Sequence, residues 1–146
     1  MSKGNTFETE LLNHVLNNSN IADVGDATGL RGSTAAGSLY VALHTANPDE
    51  TGSQTTSEIS YTGYARVAVS RSGSAWTVAS GAASNAAPIT FGACTAGSGT
   101  ATHFSVGVAS SGTGKILYKG ALTSSLAISV GITPEFAIGE LDISED

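Results

Sequence analysis

From Ser38 onward the chain is written in short alternating runs, and that period of two is what most limits its fold. Over residues 38–45, Leu39, Val41 and Leu43 fall on one side and Tyr40, Ala42 and His44 on the other, as they must when successive strand side chains point to opposite faces. Residues 64–71 alternate again, with Val67 and Val69 set against Arg66, Ala68 and Ser70. Ser72-Gly73 then turns the chain into a run over 75–79 that carries Trp76 and Val78. Further strands are expected at 88–92, 102–109, 115–122, 126–132 and 136–143. They are separated by breakers such as Asn47-Pro48-Asp49-Glu50-Thr51-Gly52, Thr95-Ala96-Gly97-Ser98-Gly99-Thr100 and Ser110-Ser111-Gly112-Thr113-Gly114.

About eight short strands at near-regular spacing predict a mainly β fold, a single β-sandwich of jelly-roll or immunoglobulin-like type. No helical period lies between the strands, which excludes βαβ units. The expected core is Leu39, Val41, Leu43, Val67, Val69, Trp76, Ile89, Phe91, Phe104, Val106, Ile116, Leu126, Ile128 and Ile138. The 146 residues suit one domain spanning 1–146, divided into a helical N-terminal arm over 1–20 and the β-sandwich over 36–143.

The arm is the one convincing helix. Phe7, Leu11 and Val15 recur every fourth residue, with Leu12 and Leu16 beside them, so the helix is amphipathic. Asn5 followed by Glu8 predicts a capping box, and the cluster Asn17-Asn18-Ser19-Asn20 predicts the stop. The stripe implies packing, either on the chain's own sheet or in a neighbour's groove. Phe7, Leu11 and Val15 are therefore candidate partner contacts.

Charged residues make up 12% of the chain, about half the usual share. Gly, Ala, Ser and Thr replace them, giving a surface that loses little side-chain entropy when a partner covers it. The net charge is −6 and the six basic residues are scattered, which excludes direct phosphate-backbone binding to nucleic acid. No apolar stretch reaches the length of a membrane span and the N-terminus lacks a secretory pattern, so no membrane partner is expected. One cysteine, Cys94, leaves no internal disulfide and reads as a small buried hydrophobe.

Catalytic patterns fail one by one. His14, His44 and His103 have no ligand spacing between them. Gly112-Thr113-Gly114-Lys115 ends like a phosphate loop, but Ala109 stands where the first Gly is required, Ile116 where Ser or Thr is required, and a strand follows. No Gly-x-Ser-x-Gly elbow precedes a helical pattern. The expectation is a non-enzyme without cofactor or metal. The loop over 45–60 is long for a hairpin and polar. It is a solvated excursion, a subunit contact, or a site for a sugar or ion, with Asn47 and Asp49 as candidate contacts.

The stretch Ser38-Leu39-Tyr40-Val41-Ala42-Leu43-His44-Thr45-Ala46-Asn47-Pro48 and the stretch Tyr61-Thr62-Gly63-Tyr64-Ala65-Arg66-Val67-Ala68-Val69 carry a resemblance, as do Trp76-Thr77-Val78, residues 84–91 and Thr102-His103-Phe104. Together they resemble a family of small virion structural proteins of tailed bacteriophages and prophages, commonly labelled tail fibre proteins. The resemblance implies a virion component, assembled in the host bacterial cytoplasm. A fibre shaft calls for internal repeats, and none is present. This lean favours a capsid decoration or cement protein that binds across major capsid protein subunits and copies of itself, as a dimer or trimer. The alternative is a tail fibre or tail-tip receptor-binding module, in which exposed Tyr61 and Tyr64 stack on a host glycan.

Overall fold

The computed structural model describes residues 2–145. Among them are one helix, α1 (Asn5–Asn17), and nine strands: β1 (Ser38–His44), β2 (Val67–Ser70), β3 (Trp76–Ala79), β4 (Ala82–Asn85), β5 (Ile89–Thr90), β6 (Gly99–Gly107), β7 (Ile116–Ile128), β8 (Glu135–Phe136) and β9 (Asp142–Ser144). The strands form three antiparallel sheets, ordered β2-β1-β6-β7, β3-β4-β9 and β5-β8. Every sheet keeps two free edges, the arrangement of sandwich-type folds and not of closed barrels. The mainly β class expected from the alternation therefore holds. No helix among the described residues is long and apolar enough to cross a membrane.

The chain divides into two compact units, each discontinuous in sequence. The first comprises Met1–Ser38, Ser70–Ile89 and Phe136–Asp146. Its nucleus is the β3–β4 hairpin, which pairs Trp76 with Asn85 and Ala79 with Ala82. The turn residues Ser80 and Gly81 both have positive φ, 52° and 74°, the primed geometry whose twist matches a two-residue hairpin. Strand β9 adds to β4, with Ile143 opposite Ala83. Helix α1 packs on β3 and β4 and buries Leu12 and Leu16 completely. So the helix lays Leu12 and Leu16 on the sheet of its own unit. Each Leu contributes about 2–3 kcal/mol by leaving water.

The helix begins one residue earlier than a capping box requires. Gly4 is the N-cap, no side chain caps it, and Asn5 is already helical. The stop falls where the Asn cluster placed it. Asn18 adopts the left-handed conformation, φ 57°, and its amide side chain grips the backbone of Ser33 in both directions. The Arg71 guanidinium donates to the last helical carbonyls, His14 and Val15, at 2.6 Å each. A cation at this end also complements the helix dipole.

The second unit comprises Leu39–Val69 and Thr90–Glu135. In its sheet β1 lies between β2 and β6, with Val41 opposite Val106 and Leu43 opposite Phe104. Both faces of β1 are buried toward its end, since Ala42 and His44 are enclosed as fully as Val41 and Leu43. Cys94 is buried too, 1% exposed.

Four expectations are corrected. The two strands read at 115–122 and 126–132 are one, β7, because Thr123, Ser124 and Ser125 lie exposed on it and do not turn. The strand read at 136–143 is two short ones, β8 and β9. Between them the chain turns at Gly139, whose N–H bonds the Asn85 carbonyl, while the Asn85 amide holds the Ala137 carbonyl and the Leu141 N–H. Ile138 sits in that turn, 65% exposed, and is no core residue. Val67, Ile116 and Leu126 are half-buried. Strand β4 lies in an Ala/Ser/Gly tract that has too little apolar contrast to be read as a strand.

Candidate functional site

The most constructed region of the second unit is a buried polar framework that runs along β1 of its four-stranded sheet, from Tyr40 to His44. It begins with the backbone. The loop over 45–60 leaves β1 and must return to β2, and the hairpin over 108–115 joins β6 to β7. Each loop carries polar main-chain groups that need partners once covered. Two side chains supply them to both loops at once.

Gln54 is fully buried. Its Nε2 donates to the Tyr40 carbonyl at 3.0 Å and its Oε1 accepts from the Ala109 N–H at 3.0 Å. Its own backbone N–H donates to the Gly114 carbonyl at 2.9 Å. The amide lies in a slot between Gly107 and Gly114, where a Cβ on either glycine would collide with it. Arg66, with 2% of its side chain exposed, forms a two-pronged ion pair with Glu58, Nε to Oε1 at 2.7 Å and Nη2 to Oε2 at 2.8 Å. Its remaining donors reach the carbonyls of Ala109 at 2.9 Å and Gly112 at 2.8 Å. The planar guanidinium is suited to this because its donors are fixed in a fork. Hydrogen bonding to Glu58 raises the Arg66 pKa, so the cation is permanent.

Tyr64 and His44 complete the framework. The Tyr64 hydroxyl donates to Glu58 at 2.9 Å and accepts from the Leu43 N–H at 3.1 Å, and burial pushes its pKa up. His44 bonds the Thr56 carbonyl through Nδ1 and the Ser105 hydroxyl through Nε2, both at 2.8 Å. A carbonyl can only accept, so Nδ1 carries the proton and Nε2 accepts from Ser105. Burial lowers the His44 pKa and outweighs the Thr56 hydrogen bond, which raises it.

A serine and histidine at this separation are a nucleophile–base pair in form. Here both are fully buried and the second ring nitrogen is held by a main-chain carbonyl, so the pair has no face for a substrate. Among the described residues no group of three or more His, Cys, Asp or Glu side chains could hold a metal ion. The arrangement does mechanical work. It fixes two loops against β1 and the sheet that contains it.

The residues singled out from sequence are dispersed. On α1, Phe7 is 38% exposed while Leu11 and Val15 are half-buried. Asn47 and Asp49 are exposed on the long loop. The Asn47 amide oxygen accepts from the Asp49 N–H at 3.0 Å and from Lys119 Nζ at 3.4 Å. The expected exposure of Tyr61 and Tyr64 is corrected. Tyr61 is 7% exposed, with its hydroxyl bonded to the Gly92 carbonyl. Tyr64 is half-buried, stacked on Phe91 at 6.1 Å and met edge-on by Tyr61 at 5.4 Å. Neither ring offers a free platform, because both fill the unit's own core. Gln54, Glu58, Arg66 and Ser105 were not legible as a set. The one signal was Arg66, a cation flanked by Ala65 and Val67 in an alternating run.

Strand β7 stands at one edge of the sheet, 13 residues long. It carries a single charge, Lys119, and no proline. The residues following it include exposed Val130 (66%) and Ile132 (39%).

The family model described as Podophage GP4 fiber I protein gp80 matches residues 2–144. No curated protein matches the chain.

Proposed function

We propose that this chain, which belongs to the Podophage GP4 fiber I protein gp80 family, is a tail-fibre subunit that acts by assembling with further copies of itself. The observation that carries the reading is the β7 edge. A long, nearly uncharged strand at a sheet margin is a template for further pairing, and proteins that stay apart blunt such edges. Antiparallel pairing with the same strand of a second copy about Leu122 sets Lys119 opposite Ser125 and Ile116 opposite Ile128. Like charges then avoid one another and apolar groups meet, both of which stabilise a cross-strand pair.

The lack of internal repeats, which leaned toward a capsid cement protein, loses its force here. A fibre can repeat whole subunits in place of segments within one chain. The cement reading, with major capsid protein as partner, stands second and rests on the low charge and small-residue surface. Gold-labelled antibody to the chain, viewed on intact particles, separates the two. Label along fibres supports the proposal; label spread over the head shell sinks it.

A further inference from the structure

Resting on the self-assembly reading, we infer that a neutral apolar plate on the second unit, distinct from the β7 edge, is a contact for a second copy of this chain. The motivating observation is a gap in the charge pattern. No Asp, Glu, Lys or Arg occurs in residues 59–65, 72–114 or 120–134. Main-chain bonds bring parts of these three segments together. The Thr95 N–H donates to the Thr62 carbonyl and the Thr62 N–H to the Ala96 carbonyl, both at 2.9 Å. From the third segment, the Ile132 carbonyl accepts from the Cys94 N–H and the Gly131 N–H donates to the Cys94 carbonyl, also at 2.9 Å. Gly63 and Gly92 let the first two segments lie this close, since a Cβ on either would strike a carbonyl oxygen of the other segment.

The three segments thus form a plate held by its own backbone, on which Val130 is 66% and Ile132 39% exposed. Branched apolar side chains open to water, with no charge in the segments that carry them, mark a surface that another protein covers. A preformed plate also loses little conformational entropy on binding.

Net charge and topology select the occupant. The chain carries −6, so two copies repel through their acidic faces. A neutral plate is where they meet without burying unpaired charge. It is also complementary to itself, as a two-fold contact demands. The antiparallel β7 pairing proposed above closes only a pair of copies. Because antiparallel strands leave in opposite directions, it sets residues 129–133 of the two copies at opposite ends of the shared ribbon. Each pair then offers a plate at either end, and plate-to-plate contact extends pairs into a row.

The test follows the full chain by sedimentation equilibrium over a range of concentrations. Val130→Asp/Ile132→Asp and Val130→Lys/Ile132→Lys each place like charges on the plate. Both side chains are exposed and the main-chain bonds remain, and an unchanged urea midpoint verifies each fold. The wild type is expected to grow beyond a pair as concentration rises. Either variant alone is expected to stop at a pair, with plate association weakened about tenfold or more. An equimolar mixture of the two is expected to regain the larger mass, because opposite charges then face each other; a variant that merely folds badly has no such recovery. Three results overturn the inference: a wild type that stays monomeric, variants with wild-type mass, or a mixture that fails to recover. Thr123→Lys/Ser125→Lys separates this contact from the β7 edge. Mass lowered by that variant and not by the plate variants refutes the plate and leaves the edge pairing, whereas the reverse refutes the edge pairing and leaves the plate.

Discussion

Arg66→Ala removes the side chain that makes the most bonds in the framework. It deletes the two-pronged contact with Glu58 and the donors to Ala109 and Gly112. What remains is worse than an absence. Glu58 is left with the Tyr64 hydroxyl as its remaining framework partner, and two loop carbonyls lose their guanidinium donors. Breaking a buried ion pair on one side costs about 3–5 kcal/mol. Glu58 is 18% exposed, so water recovers part of this and a value near the lower end, about 3 kcal/mol, is expected. At about 2–4 °C per kcal/mol for a chain of this size, Tm falls by roughly 6–12 °C. The assay is urea unfolding followed by tryptophan fluorescence, alongside a thermal scan. Arg66→Lys restores a charge without the fork and recovers less than half of the loss. A change below about 1 kcal/mol in Arg66→Ala, the range of an exposed pair, refutes the claim that this residue holds the loops.

Four further outcomes follow. Gln54→Ala strands the Tyr40 carbonyl and the Ala109 N–H and costs about 2–4 kcal/mol, measured by the same unfolding curves; a neutral result contradicts the slot geometry. Leu16→Ala opens a cavity beneath α1 and costs about 2–5 kcal/mol, whereas Ile138→Ser in the exposed turn changes stability by less than about 0.5 kcal/mol. Because the folded pKa of His44 lies below its ordinary value of 6.5, the unfolded chain binds the proton first as pH drops. Stability is therefore full above that value and declines as pH falls below it toward the folded pKa; unfolding curves at several pH values should show His44→Gln losing this slope, and an equal slope in both proteins contradicts it. On the proposed edge pairing, the wild type sediments as an oligomer and Thr123→Lys/Ser125→Lys, which charges the β7 edge, lowers its mass toward the monomer in sedimentation equilibrium; a monomeric wild type or an unchanged mass contradicts it.

What the sequence made legible was whatever a period discloses. The alternation at Leu39, Val41 and Leu43 located β1, and the four-residue stripe located α1. The Asn cluster located the helix stop because Asn18 tolerates a positive φ. What stayed hidden depends on contacts distant in sequence. Ser124 and Ser125 look like a turn, yet they lie where the β6 register shifts between Ala121 and Leu126 while β7 runs on through them, and Ile138 looks apolar and buried until Asn85 turns the chain outward beside it. The framework was invisible for the same reason. Gln54 and Arg66 act on residues more than forty positions away, and a polar residue in a polar loop gives no sign that its side chain is buried. The tyrosines misled in the opposite sense, since a ring beside Gly and Thr reads as exposed although Phe91 waits to stack on it.

The central claim, that the chain works through the surfaces it shares with other subunits, is tested most directly by a subnanometre density map of the intact particle. The account predicts fibre density that accepts this chain in repeated copies, with a strand of a neighbouring copy alongside residues 116–128. A solitary copy whose β7 edge faces open solvent would contradict it.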